Sequence, residues 1–155
     1  QIPAQPDRGV TVGNVLDVDQ SGGSFNGRLY LAYVDDTDPT VGFDLDVFVR
    51  TSDDQGATWS APVTVNDVLS GDQFLPWLDV DQANGNVGLV WFDTRNDPNN
   101  QLVELFSAAS INGGASFLPN IVVSDGQSDQ SMNNPDRQIP QNFLEYLGVA
   151  SHNCG

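Results

Sequence analysis

Apolar residues in this chain fall in short runs separated by turns. The runs Leu29-Tyr30-Leu31-Ala32-Tyr33-Val34, Val47-Phe48-Val49, Val87-Gly88-Leu89-Val90-Trp91-Phe92 and Leu105-Phe106 are rich in β-branched and aromatic side chains. Glycine, asparagine, aspartate and proline punctuate them, and this combination predicts strands and tight turns. No window of a dozen residues carries an apolar stripe of helical period, so no helix is predicted. The strands are expected at about 15–19, 28–34, 45–52 and 62–66, and again at about 77–81, 86–92, 102–109 and 120–124.

The second set repeats the first. Leu16-Asp17-Val18-Asp19-Gln20 returns 62 residues later as Leu78-Asp79-Val80-Asp81-Gln82. Leu29–Asp35 matches Val87–Asp93 at an offset of 58, as does Val63–Asp67 with Ile121–Asp125. The four-residue difference lies in one turn, where Ser21–Gly27 is longer than Ala83-Asn84-Gly85. Two matched four-stranded units, neither able to bury both faces alone, predict an all-β fold of antiparallel β-propeller blades stacked around an axis. A two-sheet sandwich of about eight strands fits the length equally, but it does not require matched halves.

The expected organisation is a leading segment 1–14, a first blade 15–67, a second blade 68–126, a linker loop 127–142, and the first strand of a further blade over 143–155. Propeller rings need at least about four blades. The partners expected are therefore further blades of the same chain, or other subunits that complete the ring.

Composition narrows the picture. The 155 residues carry 21 acidic and five basic side chains, for a formal net charge of −16. All five basics are arginine, and 19 of the acids are aspartate. Such a charge disfavours nucleic acid or an anionic membrane surface as partner. Aspartate is a turn former, which suits loops between strands better than a helix face. No apolar run approaches the roughly 18 residues of a membrane span. The start, Gln1-Ile2-Pro3-Ala4-Gln5-Pro6, has neither the basic nor the apolar region of a signal peptide. Cys154 is the single cysteine. It cannot form an internal disulfide, and in an exported protein it suggests a partner cysteine elsewhere.

Ser52-Asp53-Asp54-Gln55-Gly56-Ala57-Thr58-Trp59 has the form Ser-x-Asp-x-Gly-x-Thr-Trp, and a degenerate copy, Ser110-Ile111-Asn112-Gly113-Gly114-Ala115-Ser116-Phe117, follows 58 residues later. The pattern resembles the Asp box of sialidase-like (BNR) repeat proteins, over roughly residues 15–125. The resemblance implies that Ser52, Asp54, Gly56, Thr58 and Trp59 build the turn between the third and fourth strands and play a structural part. The side chains suit that part. Asp54 can accept hydrogen bonds within its own turn, Gly56 tolerates positive φ, and Trp59 can anchor the turn on the sheet.

The same resemblance implies what an enzyme of this type would use: an arginine triad for a substrate carboxylate, a Tyr–Glu nucleophile pair and an aspartate acid/base. The chain supplies only Arg8, Arg28, Arg50, Arg95 and Arg137. The sequence Arg137-Gln138-Ile139-Pro140 displaces the arginine of an Arg-Ile-Pro motif by one place. Neighbours on a strand face opposite sides, so Glu145 and Tyr146 cannot form the pair within one regular strand. His152 is a lone histidine near a terminus. No catalytic residue is therefore assigned. With the two boxes and the absent lysine, this points to a non-catalytic exported module, extracellular or at the cell surface, that binds carbohydrate or protein. The alternative is part of a sialidase-type glycoside hydrolase whose site is completed by other blades.

Acidic residues gather in the loops after the second strand of each unit. Asp35, Asp36 and Asp38 lie in the first, and Asp93 and Asp97 in the second, with Asp67, Asp72, Asp125 and Asp129 in the connections between blades. Closely spaced oxygens on short side chains suit Ca²⁺. Asp35, Asp36, Asp38, Asp93 and Asp97 are the candidate ligands, although their spacing is not that of an EF-hand. The alternative is that these side chains cap their own turns. Arg95 is expected to pair with Asp93 or Asp97.

Overall fold

A computed structural model describes residues 2–6, 9–10, 13–36, 40, 44–130, 143 and 147–152. Among these, eight strands form two four-stranded antiparallel sheets, each a simple meander. The first sheet is β1 (Val15–Val18), β2 (Leu29–Asp36), β3 (Leu45–Ser52) and β4 (Val63–Thr64). The second is β5 (Gln73–Val80), β6 (Val87–Asp93), β7 (Glu104–Ser110) and β8 (Ile121–Val122). No helix among the described residues is long and apolar enough to cross a membrane.

The sequence repeat is a structural one. Tyr33 pairs with Phe48 in β2–β3, and Trp91 with Phe106 in β6–β7, at the offset of 58. Both first hairpins are closed alike: Asp19 Oδ1 accepts from the Ser21 amide at 2.8 Å, and Asp81 Oδ1 from the Ala83 amide at 2.9 Å. A short acidic side chain that bonds its own turn two residues on explains why aspartate stands at both places.

Four strands differ most from those predicted. The outer strands β4 and β8 are two residues long, not five. Pro62, which has no N–H, precedes β4. Beyond each strand one more backbone bond forms, from Val65 N to Val47 O at 2.9 Å and from Val123 N to Leu105 O at 2.8 Å. A side chain then replaces the ladder, with Asn66 Oδ1 accepting from Val47 N and Ser124 Oγ from Leu105 N. Strand β2 runs on to Asp36, because Asp35 and Asp36 still pair with Asp46 and Leu45. Strand β5 begins at Gln73, before the predicted 77, across a register shift between Phe74 and Trp77. Leu75 there has φ 51° and precedes Pro76. A bulge absorbs the missing proline N–H, so the apolar run Phe74-Leu75-Pro76 stays in the sheet.

The sheets pack through opposite faces. The first contributes Tyr30, Ala32, Val34, Val47, Val49 and Val65, and the second Leu78, Val80, Val87, Leu89, Trp91, Phe106 and Ala108. Subtracting 58 from the positions on β6 and β7 of the second sheet gives Leu29, Leu31, Tyr33, Phe48 and Arg50, the other side of the first sheet. The front of one unit thus meets the back of the next. A face-to-face sandwich would bury matching positions; a head-to-tail contact can propagate.

Polar clasps stitch this junction at both ends. At its inner edge Asp17 Oδ2 accepts from the Val80 amide at 2.8 Å, and Gln82 bridges Val18 O and the Gln20 amide at 3.0 and 2.7 Å. At its outer edge Asp67 and Asn120 exchange bonds: Asp67 N donates to Asn120 Oδ1 at 2.9 Å and Asn120 N to Asp67 Oδ2 at 3.0 Å. A second apolar cluster of Ile2, Ala4, Phe74, Leu75, Val103 and Phe143 brings the leading segment and Phe143 onto the loop end of the second sheet. The predicted strand over 143–155 is described only at Phe143 and 147–152, which carry no strand assignment. Ser151 nevertheless donates its amide to Asp79 Oδ2 at 2.6 Å.

Candidate functional site

Loops emerge from both ends of the two sheets, and their polar groups are held in different ways. At the β3–β4 end, Ser52 closes a turn around Asp54. Ser52 Oγ donates to Asp54 Oδ1 at 2.8 Å, the Thr58 amide to the same oxygen at 2.8 Å, and Thr58 Oγ1 to Oδ2 at 2.6 Å. The Gly56 amide, at φ 87°, donates to Ser52 Oγ at 2.8 Å. The Thr58 hydroxyl and amide, with the Ser52 hydroxyl, bring the Asp54 carboxyl down to about 2. A carboxylate so fully supplied with donors fixes a loop and is a poor proton donor. Trp59 is half-buried beside this turn, with its ring edge near Gly56.

The degenerate copy repeats the geometry with an amide for the carboxylate. Ser110 Oγ meets Asn112 Oδ1 at 2.9 Å, and the Ser116 amide reaches that oxygen at 3.1 Å. Its Gly113 fits a neighbour. A Cβ there would lie 2.6 Å from the Phe25 ring, and its φ is 70°. Phe25 belongs to the long turn Ser21–Gly27, and the Arg28 guanidinium lies over its ring, 4.4 Å from the centroid. Arg28 also donates to Gly113 O at 2.9 Å and forms a two-pronged pair with Asp53 at 2.7 Å. The four extra residues of the first hairpin thus reach across to the second box. Gly113→Ala is expected to cost about 1–2 kcal/mol by crowding at a left-handed position. Thermal unfolding would read this, and in a Phe25→Ala background the penalty should shrink to the backbone part alone.

Two buried polar atoms at this end have no hydrogen-bond partner, Asp19 Oδ2 and the Tyr30 hydroxyl. Burial pushes the Tyr30 phenol up to about 12, with the Arg28 cation working against it. An open depression of about 420 Å³ is lined here by Phe25, Arg28, Asp53 and Gln55.

At the opposite end lie the predicted calcium ligands. The structure does not gather Asp93 and Asp97 with Asp35 and Asp36 around one centre. Asp93 is buried, and Oδ2 accepts from Trp91 Nε1 and Arg95 Nε, both at 2.9 Å, and from Arg95 Nη2 at 2.7 Å. Its Oδ1 takes the Arg95 amide at 2.9 Å. Asp97 caps its own loop by accepting the Gln101 and Leu102 amides at 2.9 and 2.8 Å, which lowers its pKa. Asp35 is exposed and bonds the Asp36 amide at 3.0 Å, whereas Asp36 Oδ1 is a buried atom without a partner. Asp38 lies outside the described residues, as do Arg8, Arg137, Glu145, Tyr146 and Cys154. No three metal-binding side chains converge among the described residues.

The three arginines among the described residues, Arg28, Arg50 and Arg95, are engaged by the protein. Arg95 joins Asp93 and Asp67 as expected for the first and unforeseen for the second, at 2.7 and 2.6 Å, and lies 4.2 Å above the Phe106 ring. It does not pair with Asp97. Arg50 reaches the Tyr33 hydroxyl at 3.1 Å and Ser60 O at 3.4 Å.

Sequence reasoning counted Asp72 among the acidic residues of the blade connections but did not single it out; it is a buried carboxylate. Its oxygens accept from the Leu45 amide at 3.3 Å and from Asn100 Nδ2. Burial raises it to about 6, and the neighbouring charges of Asp44 and Asp36 add to the rise. The signal available was its place just before a strand, beside a glycine. At the heads of β1 and β5 a smaller depression of about 150 Å³ is bounded by Asn14, Val15, Leu75, Pro76, Trp77 and Leu147. Trp77 is half-buried at its wall, next to the left-handed Leu75.

Two four-stranded antiparallel meanders joined front to back make this an all-β protein whose sheets are similar to those of a sialidase-like propeller. No protein-family model and no curated protein matches the chain. Among solved structures it is similar to a protein titled "Hadza microbial sialidase Hz136", with a TM-score of 0.54 and 19% identity over 73% of this chain. The match takes in 25% of that protein, so the chain spans about a quarter of its length. At this identity the likeness is one of fold.

Proposed function

We propose that the chain is part of a non-catalytic, exported propeller module that binds carbohydrate or protein. The observation that carries this reading is the engagement of Arg28, Arg50 and Arg95 by protein partners, which leaves none of the three directed at a substrate carboxylate. The ligand is placed at the depression walled by Trp77 and Asn14. A half-buried indole offers a flat apolar surface to a sugar ring or an apolar side chain, and an amide offers both donor and acceptor. Glycan-array screening of the full-length protein, followed by titration of the hits, is expected to show retention that Trp77→Ala abolishes. Unchanged binding by that variant overturns the placement.

The second reading, part of a sialidase-type glycoside hydrolase, is favoured by the fold likeness to a sialidase four times the length of the matched part. A panel of fluorogenic sialosides separates the two readings. Turnover by the full-length protein, lost on removing one carboxylate, would establish the enzyme. Calcium belongs to the proposal at the end of β2, where the Asp36 oxygen lacks a donor. Calorimetric titration with Ca²⁺ is expected to give a heat that Asp36→Ala removes, and no heat at all would discard the ion.

A further inference from the structure

The second box holds a neutral amide in a turn whose donors suit an anion. In the first box the Asp54 carboxylate takes the Ser52 hydroxyl, the Thr58 amide and the Thr58 hydroxyl. In the second, the corresponding groups surround Asn112. The Ser110 hydroxyl donates to Oδ1 at 2.9 Å, the Ser116 amide to Oδ1 at 3.1 Å, and Ser116 Oγ meets Nδ2 at 2.8 Å. The Gly114 amide braces Ser110 Oγ at 2.9 Å, as Gly56 braces Ser52. Only the contact with the residue-116 hydroxyl differs in sense. A carboxylate receives a hydroxyl proton there, whereas the Asn112 amide gives one of its own to Ser116 Oγ. Hydrogen bonds to a charged oxygen are roughly twice as strong as those to a neutral one, so this cradle suits an aspartate better than the asparagine it contains.

Asparagine before glycine is also the pairing most easily closed into a ring, because glycine puts no side chain beside the peptide nitrogen that must reach the amide carbon. Asn-Gly occurs three times, at 26–27, 84–85 and 112–113. The structure separates them. The Gly27 amide is tied to Asp19 O and the Gly85 amide to Asp81 O, both at 2.7 Å, so each nitrogen must give up a backbone bond to react. The Gly113 amide has no such partner among the described residues. Asn112 is exposed, so water reaches its side chain.

We propose that Asn112 is a self-modification site, whose amide is hydrolysed without an enzyme to a carboxylate that completes the degenerate box. The Gly113 nitrogen attacks Asn112 Cγ, its proton passes through water to the departing amide nitrogen, and ammonia leaves behind a five-membered imide. Water then opens the imide by one of two routes. Addition at Cγ breaks the new C–N bond, restores the main chain and leaves an aspartate. Addition at the main-chain carbonyl of residue 112 leaves an isoaspartate, with the chain rerouted through the side chain. In either case one amide and one water give one carboxylate and one ammonium. The Ser110 hydroxyl and Ser116 amide are aimed at the oxygen on Cγ, where they stabilise the oxyanion of the first route and the carboxylate that follows. No donor among the described residues is directed at the Asn112 main-chain oxygen. The Ser116 hydroxyl then reverses and donates to the new oxygen, as Thr58 does to Asp54. Gly113 lies against the Phe25 ring and its carbonyl accepts from Arg28, so a firmer second turn also firms the long hairpin of the first sheet.

The test is ageing of the 155-residue chain in warm neutral buffer, folded and in denaturant. Peptide mapping by mass spectrometry counts the lost amides, and an isoaspartate-specific methyltransferase separates the two products. In the folded chain, position 112 is expected to convert several-fold faster than positions 26 and 84 and to give mainly aspartate. In denaturant the three should convert alike, with isoaspartate in the majority. Asn112→Asp should raise the melting temperature. An Asn112 that survives in the folded chain but converts in denaturant would show that the cradle locks the amide, and would overturn the proposal. So would conversion at 26 and 84 as fast as at 112, a folded product that is mainly isoaspartate, or an Asn112→Asp variant that melts no higher than the unmodified chain.

Discussion

Replacing Trp91 by alanine is expected to destabilise the chain by about 3–5 kcal/mol, the range for deleting a large aromatic side chain from a packed core. Trp91 is fully buried and stands in the cluster shared by both sheets, beside Phe106. Its loss opens a cavity against the front of the first sheet, which presents small and β-branched side chains such as Ala32 and Val49 with little reach to fill it. At roughly 2–4 °C per kcal/mol for a chain of this size, the melting point should fall by about 6–20 °C. Trp91→Phe separates packing from polarity. It keeps most of the ring but removes the Nε1 donor from Asp93, whose Oδ2 retains Arg95. That milder change should cost about 1–2 kcal/mol. Hydrogen exchange supplies the decisive reading: in Trp91→Ala, amides of β2 and β3 should lose protection along with those of β6. First-sheet amides that keep their full protection would show that the shared cluster does not bind the two sheets into one cooperative unit.

That joint dependence is the part of the fold most legible in the sequence. The offset of 58 fixed which residues share a role, and alternation along Leu29–Val34 and Val87–Phe92 fixed which faces they share. Parity between the units was not drawn from the pattern, because front and back are both apolar here: Tyr33 and Phe48 on one side mirror Val34 and Val47 on the other. Only the contact itself shows that even positions of β2 meet odd positions of β6. The head of β5 was missed for a related reason. Proline reads as a strand breaker, and a bulge that tolerates it depends on Leu75 adopting a left-handed conformation, which no local preference announces.

The polar groups were less legible than the strands. A cluster of aspartates in loops looks the same in sequence whether it faces a cation or its own backbone. Asp97 turned out to hold the amides of Gln101 and Leu102, and Asp93 to lie under a guanidinium and an indole. Both outcomes depend on donors that approach from a few residues away in chain but from fixed directions in space. The link from Arg95 to Asp67 crosses 28 residues and the sheet junction, so no local rule could anticipate it. Phe25 against Gly113 is a further case. The longer hairpin and the second glycine of Asn112-Gly113-Gly114 are separate oddities in sequence and one contact in the structure.

Asp72 supplies the second large effect, and its direction is opposite to that of most paired carboxylates. Burial raises its pKa from 3.8 to about 6, so the folded chain keeps a proton there that the unfolded chain releases near pH 4. Across the window from about pH 4 to about pH 6 the native state binds more protons at this site. Stability contributed here must therefore fall as pH rises through that window, by on the order of 3 kcal/mol, and stay low above it. Asp53, Asp54 and Asp97 act the other way. Their pKa values are lowered, Asp53 by its pair with Arg28 and the others by hydrogen bonds within their own turns, so their contributions are lost as pH falls below the ordinary carboxylate range. The two trends cross near pH 4, and the maximum of stability is expected there and not at neutral pH. Urea midpoints measured from pH 3 to pH 8 with a chelator present would trace the curve. Asp72→Asn, which cannot ionise, should flatten the fall between pH 4 and pH 6 while leaving the acid limb in place. A rise in stability through that window in the unmodified chain, or an equal fall in Asp72→Asn, would mean that another group carries the charge cost of this end of the sheets.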